Sequence, residues 1–192
     1  MHFILKIALL CLVFCGYEDL SASSGHDKFQ ALSQKKFKKY KSILANSTWI
    51  VPPSTLMAIN YTAGTETALT DQTVWVISRF ENGYFFGDAY VGINGIPTSH
   101  MKLVGSVTPF GEVYIAFYPA AGNLLTTDVV NGIGKLRRIQ NEYVFIMQMN
   151  SAPTNLTGLA HWSYMISVDK EDYLYQNLPG MNISVPQFIS LF

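Results

Sequence analysis

The sequence predicts a mainly β protein: an antiparallel up-and-down barrel of about eight strands, preceded by one amphipathic N-terminal helix. Two observations carry this. From Trp49 onward, apolar and aromatic runs of six to nine residues alternate with turn signals, without the helical spacing that a βαβ unit requires. Closure into a barrel then removes the exposed edges that a meander of this length leaves. A two-sheet sandwich is the alternative arrangement of the same strands.

The first segment has one early cation, Lys6, then an apolar run from Ile7 to Gly16 that stops before Glu18 and Asp19. Small residues from Leu20 to Ser24 offer cleavage after Ala22 or Ser23. Residues 1–23 thus read as a signal peptide, since a spanning helix needs about 20 apolar residues. The expected location is secreted or periplasmic. Both cysteines, Cys11 and Cys15, fall in this leader. The remaining part, about 170 residues, therefore rests on its hydrophobic core without disulfides, thiolate chemistry or cysteine-bound zinc.

Residues 24–45 form the helix. Phe29, Leu32, Phe37, Tyr40 and Leu44 recur at helical spacing between lysines, and Asn46 or Ser47 ends the pattern. Between 25 and 45 six lysines face Asp27 alone, whereas residues 46–192 hold six Lys and Arg against ten Asp and Glu. The favoured reading is that the basic helix pairs with its own acidic domain; contact with an anionic membrane surface is the other. Nucleic acid is excluded by the scarcity of basic residues elsewhere.

The barrel is assigned to residues 46–168. Trp49–Val51 stops at Pro52-Pro53, Thr55–Tyr61 follows, and Thr73–Phe80 meets the hairpin signal Asn82-Gly83. Tyr84–Ile93 runs into Asn94-Gly95, Met101–Val107 into Thr108–Gly111, and Val113–Tyr118 into Pro119. Leu124–Val130 passes through Asn131-Gly132, Lys135–Ile139 turns at Gln140–Glu142, and Tyr143–Met149 and Leu159–Val168 flank a polar loop. The tail, 169–192, carries apolar residues such as Leu178, Val185 and Phe188 and is expected to pack across the barrel. Pro186 and Ser190 spoil the alternation that a lipid-facing terminal strand needs.

Alternation divides each strand into two sets. One, taken as the barrel lining, includes Val74, Val76, Phe86, Tyr90, Met101, Leu103, Ile115, Phe117, Phe145, Met147, Trp162 and Ile166. The other mixes apolar side chains with Arg79, Lys102, Gln148 and His161. It either packs on the helix, the tail or another subunit, or lines a polar-tipped cavity. On the second account Trp75, Arg79, Tyr114, Gln148 and His161 are the candidate ligand-binding residues.

Catalysis centres on His161, a general base if a buried carboxylate such as Asp88 orients it. Equally, it is an interior histidine bonded to Gln148 or Ser163, or exposed. No metal site is expected: His26, His100 and His161 are far apart in sequence, and Asp169-Lys170-Glu171-Asp172 lacks the rest of a calcium loop. No cofactor motif is present, because Asn131-Gly132-Ile133-Gly134-Lys135 lacks phosphate-loop spacing and reads as a bend or bulge. Asn46, Asn60, Asn155 and Asn182 open glycosylation sequons.

Trp49 near the first strand, and the meander with its hairpin from Gly105 to Val113, resemble the calycin superfamily of lipocalin and avidin-like barrels over residues 46–168. Asn46-Ser47-Thr48-Trp49 stands where the family opens with Gly-x-Trp. The resemblance implies a barrel that takes a small apolar or amphipathic molecule at its mouth. The expected function is therefore a secreted, non-enzymatic barrel binding such a ligand or a protein partner, either alone or as a homo-oligomer. A barrel isomerase or hydrolase using His161 is the alternative.

Overall fold

A computed structural model describes residues 25–52, 55–61, 63–120, 130–151 and 158–192. The signal-peptide reading of residues 1–23, the strand expected over 124–129 and the Asn155 sequon lie outside these. Helix α1 spans residues 25–44. Nine strands follow: β1 (Ser47–Ile50), β2 (Thr55–Asn60), β3 (Thr65–Glu81), β4 (Tyr84–Ile93), β5 (Ile96–Val107), β6 (Glu112–Pro119), β7 (Val130–Ile139), β8 (Glu142–Ser151) and β9 (Leu159–Val168). Two short helices, α2 (Tyr173–Gln176) and α3 (Val185–Ile189), lie in the tail.

Every strand pair is antiparallel. The sheet closes because β3 pairs with β4 on one side and with β1 and β2 on the other, and both of these also pair with β9. The strands β1 and β2 are two halves of one barrel strand, and Pro52, between them, has no N–H to give the ladder. The result is a closed eight-strand antiparallel barrel, not a sandwich. Local chemistry supports this path. Asn82-Gly83 and Asn94-Gly95 both have positive φ, the backbone that two-residue hairpins demand. Asn46, at φ 56°, ends α1.

Two strands run further than expected. β3 begins at Thr65 and β5 at Ile96; the added segments, Thr65–Gln72 and Ile96–His100, are mostly polar and do not stand out as apolar runs. Asn131-Gly132 lies inside β7 and is not a turn. The inward Cβ at Gly132 would meet the Met149 and Ile115 side chains at 2.5 and 2.8 Å, so a larger residue there displaces them.

The assignment of the lining needs a larger correction. The residues filling the barrel include Trp75 and Ile77 of β3, Phe85 and Ala89 of β4, Met101 and Leu103 of β5, Ile115 and Phe117 of β6, Phe145 and Met147 of β8, and Met165 of β9. The expected lining set is right for β5, β6 and β8 and inverted for β3, β4 and β9. The reason is the tail. It covers the outside of β1, β3, β4 and β9, burying Leu178, Val185 and Phe188 against Ile50, Val74 and Val168, with Val76, Tyr90 and Ile166 beside them. Those strands are therefore apolar on both faces, and alternation alone cannot assign their phase. Buried Gln72 pins the tail: its Oε1 accepts from the Gly180 N–H at 2.8 Å. The chain end forms helix α3, capped by Ser184 and Gln187, and not a lipid-facing strand.

Helix α1 closes one end of the barrel. Leu44 and Tyr40 are buried in the barrel core, and Phe37 packs edge-on against Phe80 with ring centroids 6.4 Å apart. Just inside, Trp49 is fully buried; its indole N–H donates to Ser47 Oγ, which donates to the Leu44 carbonyl. The expected apolar stripe holds only for this second half of the helix, because Phe29 and Leu32 are exposed. Among the described residues no helix lysine forms an ion pair with the barrel; Lys39 instead lies over the Tyr143 ring.

Candidate functional site

The end of the barrel away from α1 holds an open-mouthed cavity of about 250 Å³. Its depth follows from the packing. Around Phe145 the aromatic rings of Trp49, Trp75 and Phe85 gather at 4.5–5.9 Å, and Trp75 also contacts Phe117 at 5.4 Å. This cluster fills the barrel on the helix side, and Trp75 and Phe117 form the floor of the cavity. Above them the wall is Ala89, Val91, Met101, Met149 and Leu159, with Leu69 and Ile93 nearer the rim.

Six polar side chains among the described residues interrupt that apolar wall: Asp71 and Thr73 from β3, Ser99 from β5, Ser151 from β8, and His161 and Ser163 from β9. The alternation of β3 turns Leu69, Asp71, Thr73 and Trp75 inward together. Asp71 is only 7 % exposed. Thr73 Oγ1 donates to Asp71 Oδ1 at 2.6 Å, the carboxylate's hydrogen bond among the described residues. Burial pushes the Asp71 pKa up to about 6, and the bond from Thr73 offsets only part of that effect. His161 is held below its ordinary range by burial. Its imidazole has no hydrogen-bond partner among the described residues, neither Gln148 nor Ser163. Among the described residues the cavity thus offers one carboxyl group, one neutral imidazole and a few hydroxyls on largely apolar walls.

Of the residues expected at the site, Trp75 and His161 share this cavity; Arg79, Tyr114 and Gln148 are on the outer surface. A register shift between Ile77 and Arg79 reverses the phase of β3, so that Phe80 turns inward and Arg79 outward over the Phe86 ring, 4.2 Å from its centroid. Tyr114 and Gln148 belong to an outer row, Tyr114–Ile133–Gln148–Trp162, in register across β6 to β9. Trp162, expected inside, is 64 % exposed.

The proposed partnership of His161 with Asp88 does not form. Asp88 is on the outer face of β4, where its Oδ1 lies 2.7 Å from His100 Nε2 and accepts from Lys102 Nζ at 2.6 Å. Burial works to raise its pKa, but the bonds from Lys102 and His100 outweigh that and hold it below the ordinary carboxylate value. The His100 ring stacks on Tyr90, so this is a surface cluster remote from the cavity. Among the described residues no group of three His, Cys, Asp or Glu is placed to hold a metal ion.

No protein-family model, curated protein or solved structure matches this chain. The likeness to calycin barrels is therefore one of architecture, an eight-strand closed meander opened by a buried tryptophan. Sequence reasoning missed Asp71 because the first half of β3, Thr65 to Gln72, is polar. The signal was there: Leu69, Asp71, Thr73 and Trp75 alternate in one phase.

Proposed function

We propose that this protein is an exported, non-enzymatic barrel that holds a small amphipathic molecule inside its end opposite α1. The cavity carries the reading: an apolar chamber of about 250 Å³, with a few buried polar groups on its wall, has the composition of a ligand site. An apolar cavity of about 150 Å³ holds benzene, so this one suits a ligand of about ten non-hydrogen atoms. The leader-like first segment supports export. A binding role also accounts for the desolvated carboxyl group, since a protein selected for stability alone gains nothing from a buried aspartate without a cation.

Native mass spectrometry of the protein purified from its own host tests this. The expected result is a reproducible small-molecule adduct that is lost in Ala89→Leu, where the longer side chain occupies the cavity. A bare mass from the host, unchanged after incubation with small amphiphiles, contradicts it.

A further inference from the structure

We infer that the ligand carries a protonated amine, which pairs with the Asp71 carboxylate inside the barrel while its apolar body extends toward Trp75. This deepens the proposed ligand-binding reading and rests on it.

The geometry supplies three reasons. First, Asp71 is more than nine-tenths buried, yet among the described residues no Lys or Arg lines the cavity with it. Thr73 occupies one oxygen, and no described residue bonds the other. A buried carboxylate in that state lacks the counter-charge that buried ions require.

Second, the remaining polar groups do not supply that charge. Thr73, Ser99, Ser151 and Ser163 are neutral. Among the described residues the other titratable group lining the cavity is His161, on β9, and β4 to β8 contribute none. Burial keeps His161 in its uncharged form, and neither it nor Asp71 shifts the other.

Third, the wall is graded. Asp71 is four residues from Trp75 along β3, about 13 Å toward the mouth at the usual rise per residue. A primary amine with a straight tail of about eight carbons spans that distance and matches the cavity volume. Such a head donates to the free Asp71 oxygen, with His161 available as an acceptor. A carboxylate head meets a like charge instead, and an alcohol meets a carboxylate that it leaves without a counter-ion.

Calorimetric titration of the purified protein with octylamine, 1-octanol and octanoate at pH 7.5 tests the inference. These probes share size and tail and differ in head group. The expected order is octylamine tightest, by at least about tenfold over octanol, since a hydrogen bond to a charged group contributes more than a neutral one. In Asp71→Asn the amine's advantage disappears, while octanol binding stays within about threefold. At pH 5, where Asp71 is largely protonated and octylamine remains charged, the advantage shrinks in the parent protein, while the variant binds amine and alcohol in the same ratio as at pH 7.5. If octanol binds as tightly as octylamine, or the preference survives in Asp71→Asn, the amine inference is overturned and the ligand-binding reading stands. If none of the three binds, both are overturned.

Discussion

Thr73 donates a 2.6 Å hydrogen bond to Asp71 from two residues along the same strand, and both side chains point into the barrel. Two opposing effects meet in this pair. The hydroxyl stabilises the charged carboxylate, the low-dielectric wall destabilises it, and burial dominates. Asp71 is thus a carboxyl group whose charged form the fold disfavours.

Stability should show that effect directly. The folded-state pKa, about 6, exceeds the ordinary value of 3.8. The stabilising contribution of the protonated group is therefore complete below about pH 4 and is lost as pH rises through 6. That shift corresponds to about 3 kcal/mol at neutral pH. Urea unfolding of Asp71→Asn should show a variant more stable than its parent at pH 7.5 by roughly that much, with the difference closing near pH 4. A variant equally or less stable at pH 7.5 contradicts a buried, uncompensated carboxylate.

His161 should behave oppositely. Burial lowers its pKa, so its contribution is present above the ordinary 6.5 and is lost as pH falls through the lower folded value. NMR titration of its ring should give a midpoint below 6.5. A midpoint at or above that value contradicts a ring desolvated inside the cavity.

The floor depends on a close approach of ring and backbone. A Cβ on Gly105 would lie 2.2 Å from Phe85 Cζ. Overpacking of this kind costs about 1–3 kcal/mol, so Gly105→Ala should lower stability by that amount. Adding Phe85→Leu should return part of the loss, giving a coupling measurable by a double-mutant cycle. Additive effects in that cycle would contradict the contact.

Phe188 should matter as much as an interior residue although it sits outside the barrel. It is fully buried against the outer face, and its ring would lie 3.2 Å from a Cβ at Gly92. Phe188→Ala should cost about 3–5 kcal/mol, as a core truncation does. A loss below about 1 kcal/mol in urea unfolding would mean that the tail is dispensable.

Strand existence was legible because turn chemistry is local: Tyr84–Ile93 and Leu159–Val168 are strands over the residues the sequence predicts. Strand phase was not, for a tertiary reason. Where the tail covers Val74, Val76, Tyr90 and Ile166, both faces are apolar, and nothing in a single strand distinguishes inside from outside. Arg79 followed the expected alternation until a bulge inverted it, and bulges leave little trace in composition. Half the site was therefore readable: Trp75 and His161 carry the alternation of uninterrupted strand segments. Asp71 was hidden in a polar stretch that reads as a connection.

The most direct test of the central claim, that the barrel interior is the binding site, follows methionine methyl groups by NMR during titration with 1-octanol, a probe independent of Asp71's charge. Met101 and Met149 line the cavity, whereas Met57 is exposed on β2. Saturable shifts of Met101 and Met149, with Met57 unmoved, are the predicted result. Shifts confined to Met57, or no shift at any methyl group, would contradict an interior binding site.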